Sequence, residues 1–250
     1  VYLGVVGTKE LAAIAFTFPA TFALHAIGRG LAIGAASMMS RARGAGRTDE
    51  VALVASHCLW LVLLFSLLCI AIGWPFADEF YALLGASGDV LDMAVSYSKI
   101  FLIGFPVYVL ATVAGLLLRG IGNGAVPGYV MTVGSVLQIA LGPFLIFGWW
   151  GAPAMGIEGA ALAFVISRIA SFALALYWIG VRDRLLTGDR SGLLTSWRGI
   201  LHIGLPASAN NLIPPVSAAI VTRILADHGD LVVAGFGVAT RVEVLFWMIM

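Results

Sequence analysis

Apolar residues run through this chain in long stretches separated by short polar loops. Seven stretches read as spans, at 11–40, 51–74, 94–118, 126–148, 159–181, 199–225 and 231–250. Each reaches the roughly 20 residues a helix needs to cross hydrocarbon. Polar and apolar residues do not alternate with a period of two, and Leu, Ala, Ile, Phe and Gly dominate. A helix satisfies its own backbone in lipid, whereas strands would have to close into a barrel. The pattern therefore predicts an all-α, polytopic helical membrane protein. Composition agrees, since hydrophobic residues make up 61% of the 250 residues and charged ones 11%. That is too little polar surface to wrap a soluble globule.

Charge in the loops sets an orientation, because short loops rich in Lys and Arg stay in the cytoplasm. Alternate loops hold Arg41, Arg43 and Arg47, then Arg119, then Arg182, Arg184, Arg190 and Arg198. The intervening loops hold Asp78, Glu79, Asp89 and Asp92, then Glu158, then Asp227 and Asp230. The first set is placed inside and the second outside, with Lys9, Lys99 and Arg223 as exceptions near the outer face. Trp74, Trp149 and Trp150 suit an outer interfacial belt, and Tyr177, Trp178 and Trp197 an inner one. The expected location is a cell membrane, crossed many times. The chain starts at Val1 and stops at Met250 inside an apolar stretch, so it is expected to be a fragment, with Val1 to Val6 ending a preceding helix. Cys58 and Cys69 share one predicted helix, roughly 16 Å apart by its rise, too far to bridge. A short internal repeat, Leu11 to Phe16 against Leu231 to Phe236, opens two spans after outer turns and fits two six-helix halves.

Polar residues inside the spans are where function is sought, since ionisable groups in hydrocarbon are costly and face a cavity or a partner. Thr17, Thr21, His25 and Arg29 recur at four-residue steps and share one helix face. That face reads as the wall of a watery pathway or as a stripe packed on neighbours, with Arg29 neutralised by a partner. Gly30 and Gly34 form a small-xxx-small pair suited to close helix approach. Arg168 reads as part of a structural ion pair or carbonyl clamp. His57 and His202 read as interfacial, and no histidine pair has metal-ligand spacing. Pro206, Asn210, Asn211, Pro214 and Pro215 crowd the sixth span and predict a broken helix. Such a break lines an ion or substrate site in some transporters and elsewhere only shapes packing. Arg241 and Glu243 fall two positions apart in the last span, on nearly opposite faces. Glu243 is the one carboxylate placed deep in a span, a candidate for proton or cation uptake or for a structural salt bridge. No HExxH, paired carboxylates or Ser/His/Asp set is present in the spans, which argues against an enzyme.

Several segments together resemble multidrug and toxic compound extrusion transporters. They are Ser40 to Gly46, Leu118 to Asn123 with Pro127, Pro153 to Ala161, Ile203 to Pro206, and Gly237 to Arg241. The resemblance covers essentially the whole chain and implies twelve helices in two six-helix lobes. Residues 1–181 would form the N-terminal lobe with its first helix truncated, 182–198 a cytoplasmic linker, and 199–250 the first two helices of the second lobe. It further implies export of drugs or other small organic cations, driven by inward H+ or Na+, with no other cofactor, no metal and no nucleic acid, by a monomer in the lipid bilayer. One departure touches mechanism. Many relatives carry Asn and, four residues later, Asp before a Pro in helix five, where this chain has Gln138 and Gly142 before Pro143; a Thr of helix six is Phe164. That departure argues against a cation site of that kind here, and coupling would fall to Glu243, Arg241 or residues elsewhere. The residues with a candidate role in the cavity or in coupling are therefore Glu243, Arg241, Asn210, Asn211, Gln138, His25, Arg29 and Thr21, with Pro206, Pro214 and Pro215 at the break. Phe105, Phe144 and Met131 are candidates for an apolar lining. A lipid-linked saccharide flippase of the same superfamily, with a cavity richer in Arg, and a membrane-embedded enzyme are the alternatives.

Overall fold

The computed structural model describes residues 7–148 and 153–249, without the side chains of 241 and 243–249. Among the described residues there are eight α-helices and no strand. They are α1 (Thr8–Gly44), α2 (Thr48–Gly73), α3 (Ala77–Leu83), α4 (Gly88–Gly120), α5 (Ala125–Phe147), α6 (Gly156–Tyr177), α7 (Leu193–Ala226) and α8 (Asp230–Ile249). A π-helical turn, Trp178–Arg182, extends α6 toward the linker. Trp149, Trp150 and Val1 to Val6 lie outside the described residues.

Five helices, α1, α2, α4, α5 and α6, are long and apolar enough to cross a membrane. The protein is a multi-pass integral membrane protein. The other two expected spans fall short for different reasons. α7 has the length, 34 residues, but His202, Asn210, Asn211 and three prolines dilute its apolar character. In α8 the apolar stretch among the described residues is only Asp230–Thr240. The short helix α3 was not expected from the sequence; it folds inward on Ala77 and Tyr81, and the Tyr81 hydroxyl accepts a hydrogen bond from Ser98 Oγ at 2.7 Å.

Two arginine-rich ends close in the same way. Beyond α1 the Arg47 N–H returns to the Ala42 carbonyl at 3.0 Å across Gly46, whose φ is 75°. Beyond α4 the Asn123 N–H returns to the Leu118 carbonyl at 2.9 Å across Gly122, φ 85°. Glycine adopts this left-handed conformation without a Cβ clash, and the turn satisfies carbonyls the helix leaves open. Arg41, Arg43 and Arg119 in the final turns also suit the negative end of the helix dipole. The three basic residues that break the charge rule are each matched by an aspartate. Lys9 pairs with Asp89, Lys99 with Asp78 at 3.1 Å, and Arg223 with Asp227 at 2.8 Å.

Helix α1 is the hub, packing against α7, α4, α8 and α2, while α6 lies between α4 and α5. Its closest approach is to α7. A Cβ at Gly30 would overlap Ser208, and one at Gly34 would overlap the Ile200 carbonyl. On the facing side Gly204 would put its own Cβ 3.0 Å from the Gly30 oxygen. Lipid tails are as apolar as Leu, so helices associate here through van der Waals fit, which small residues permit. Farther along α1, Ala12, Ala13 and Phe16 share a buried cluster with Val233 and Ala234 of α8, so the two copies of the short repeat meet each other.

The broken helix expected at Pro206, Pro214 and Pro215 is not there. α7 runs unbroken through all three prolines. Each proline removes one amide donor, and the rest of the ladder persists. Side chains reinforce the same stretch: Ser208 Oγ donates to the Gly204 carbonyl at 2.8 Å, and Asn211 Nδ2 to the Ala207 carbonyl at 2.8 Å. α1 packs alongside this helix.

Candidate functional site

A cluster of polar and aromatic side chains forms where α1, α4, α5 and α6 converge. Arg168 of α6 donates from Nη2 to Gln138 Oε1 of α5 at 2.8 Å. Its guanidinium carbon sits 5.0 Å from the Phe164 ring centre and 5.4 Å from that of Tyr108. Those two rings are themselves 5.0 Å apart. The Tyr108 hydroxyl reaches His25 Nδ1 at 2.8 Å, and the two rings lie 4.1 Å apart. Phe101 completes the aromatic wall, 5.4 Å from Phe164. Gly134 makes room for this arrangement, because a Cβ there would strike Ser171 and come within 3.2 Å of Arg168 Nη1.

Arg168 thus has no ion pair among the described residues, contrary to one expectation from the sequence. Its partners are an amide carbonyl and two ring faces, and its Nε is buried without any hydrogen-bond acceptor. A cation over aromatic faces gains about 0.5–2 kcal/mol, and a buried donor left unpaired costs about 1–3 kcal/mol. Arg29 stands one turn beyond His25 on α1 and is exposed.

The four-residue stripe on α1 resolves into separate roles. Thr17 donates to the Ile14 carbonyl at 2.8 Å, and Thr21 to the carbonyls of Thr17 and Phe18. Both hydroxyls are spent on their own helix, so only His25 turns its polar atoms to another element. Thr21 also borders an apolar cavity of about 300 Å³ between α1, α2, α3 and α4, lined by Leu24, Cys69, Ile72 and Phe101 among others. Phe101 separates that cavity from the Arg168 cluster.

Other expected positions lie apart from the cluster. Asn210 is exposed on α7, and Asn211 is bound to its own helix. Pro206 and Pro214 are exposed, and Pro215 is buried. Phe105 is wholly buried in the core, while Met131 is 60% exposed, so neither lines a chamber formed by the described residues. The side chains of Arg241 and Glu243 lie outside the described residues. His57 is not interfacial as expected: it is fully buried, with Nδ1 2.9 Å from Ser196 Oγ and Nε2 3.1 Å from the Asp189 carbonyl. His202 is exposed on α7. Tyr108 was overlooked in the sequence; a phenol deep in the 94–118 span was its one signal. Among the described residues no group of three His, Cys, Asp or Glu gathers to hold a metal.

Residues 1–144 match the MatE family model. The chain belongs to this family. It is 31% identical over 97% of its length to a FAD transporter of Shewanella oneidensis, covering 54% of that protein. It is 29% identical to the probable multidrug resistance protein YoeA of Bacillus subtilis, over 94% of this chain and 52% of that protein. A solved inward-facing multidrug resistance transporter of the MATE family superposes with a TM-score of 0.86 at 27% identity, over 96% of this chain and 55% of that one. The chain therefore spans about half the length of the curated relatives it matches. MATE proteins are transporters, which removes the embedded-enzyme reading. At the two positions where the resemblance led one to expect Asn and Asp, the structure has Gln138 bound to Arg168 and a buried Gly142 with no side chain to offer.

Proposed function

We propose that the full-length protein is a secondary active transporter that exports drugs or other small organic substrates in exchange for inward H+ or Na+. Two lobes alternate access to a central chamber, residues 1–181 belonging to the first, 182–198 to the linker and 199–250 to the opening of the second. The superposition on an inward-facing transporter over 96% of the chain carries this reading. The small-residue seam supports it, since Gly30, Gly34 and Gly204 between α1 and α7, and Gly237 beside Ala15, bring helices of the two proposed lobes into direct contact. A cation that drives export must bind the two states with different affinity. Glu243 is the group assigned that task.

Arg29 and Arg168, with no carboxylate in bridging range among the described residues, favour a second reading, a flippase for lipid-linked saccharides. Efflux from vesicles carrying the full-length protein separates the two. Export of a small-molecule dye under an imposed proton or sodium gradient, and not without one, supports the antiporter and names its ion. Absence of export under either gradient overturns it in favour of the flippase.

A further inference from the structure

The Arg168 cluster has the chemistry of a recognition site for one kind of solute. Gln138 ties down one end of the guanidinium and is its one hydrogen-bond acceptor among the described residues. The side chain is only half-buried, so part of the group remains open. Guanidinium presents a planar fork that matches the paired oxygens of a carboxylate or phosphate, and it stacks on aromatic faces. Here the fork stands beside two ring faces, Phe164 and Tyr108, with Phe101 behind them. A second guanidinium, Arg29, stands one turn beyond His25 on α1. Gly142, one turn from Gln138 on α5, brings no acidic group. An organic cation entering here would meet like charge, whereas an anion would supply the counter-charge that Arg168 lacks among the described residues.

We propose that this cluster binds an organic anion bearing a flat aromatic ring, its negative group on Arg168 and its ring against Phe164 and Tyr108. The proposal deepens the transport reading above and rests on it for the direction of movement. His25 acts as a positioning residue, its contact with the Tyr108 hydroxyl setting the tilt of that ring.

The test uses full-length protein in detergent and three fluorescent probes: FMN, riboflavin, which has the same ring without phosphate, and ethidium, a flat cation. FMN is expected to bind about tenfold or more tightly than riboflavin, as a charge-assisted hydrogen bond provides, and more tightly than ethidium. Equal affinity for the two flavins, or a preference for ethidium, overturns the proposal. Arg168→Gln is expected to erase the preference for FMN over riboflavin while leaving riboflavin binding in place. A folded Arg168→Gln variant that loses both flavins equally makes Arg168 structural and overturns the proposal. Should that variant fail to fold, Phe164→Leu takes its place: both flavins weaken together with their ratio kept, and unchanged binding counts against the site. Vesicle flux keeps the two readings apart. Gradient-driven ethidium export without FMN binding overturns the anion site and leaves the transporter, while FMN binding with no flux of any probe leaves the site and overturns the transporter.

Discussion

Across 139 residues of chain, His57 of α2 and Ser196 of α7 meet at 2.9 Å, and the other imidazole nitrogen reaches the Asp189 carbonyl at 3.1 Å. A carbonyl only accepts, so Nε2 carries a hydrogen and donates it; in the neutral ring Nδ1 then accepts from the Ser196 hydroxyl. Trp197 Nε1 donates to the His57 carbonyl at 2.9 Å, and Ser56 Oγ accepts from the Thr187 N–H at 2.8 Å. Two adjacent side chains of α2 therefore pin the segment between α6 and α7. His57→Ala removes two hydrogen bonds of about 1 kcal/mol each from a buried site. Tryptic cleavage of the linker at Arg184 or Arg190 is expected to run about thirtyfold faster in that variant, since cutting follows local opening. An unchanged rate would contradict the bracket.

The α1 to α7 seam tolerates no added carbon at Gly34, where the obstruction is the rigid Ile200 carbonyl. Gly34→Ala is expected to cost about 1–3 kcal/mol as the helices are forced apart and to lower the thermal unfolding midpoint in detergent. Gly44→Ala on the same helix, with nothing within 4 Å, serves as the silent control. Equal midpoints for the two variants would refute the close approach.

Asp189 lies in the linker, outside the spans. Its carboxylate accepts from both the N–H and the hydroxyl of Ser191 at 2.8 Å, which holds it below its ordinary 3.8. A folded value below the unfolded one means the stabilisation is present above the ordinary carboxylate range and is lost as pH falls through the depressed value. Backbone protection at Ser191, corrected for intrinsic exchange, is expected to stay flat from neutral pH down to that range and to fall only below it. Asp189→Ala should abolish the transition.

Glu243→Gln in the full-length protein is expected to insert normally and to weaken gradient-coupled efflux, because the neutral amide cannot release a proton or pair with a cation. Wild-type efflux at matched expression would remove Glu243 from the coupling step.

Much of the fold was legible in the sequence. The length of each apolar run placed the helices to within about six residues at either end, and the Lys and Arg in the loops set their orientation. Two misreadings share one cause. The prolines of α7 suggest a break when α7 is considered alone, yet it stays helical through them with α1 packed against it. His57 looks like a lone histidine near a membrane boundary until the linker folds over it. In both cases the deciding partner is remote in sequence.

The sequence by itself determined the membrane class, the helical architecture and the family, because lipid imposes its requirement on each segment separately: enough apolar length and a backbone satisfied within the helix. Only the tertiary structure decided which polar groups meet. His25 finds Tyr108 at a separation of 83 residues, and Arg168 finds Gln138 at 30. Composition tells that such residues are costly in hydrocarbon, but the rotation of each helix about its own axis decides which faces converge, and that rotation is set by close packing at positions such as Gly30, Gly34 and Gly134.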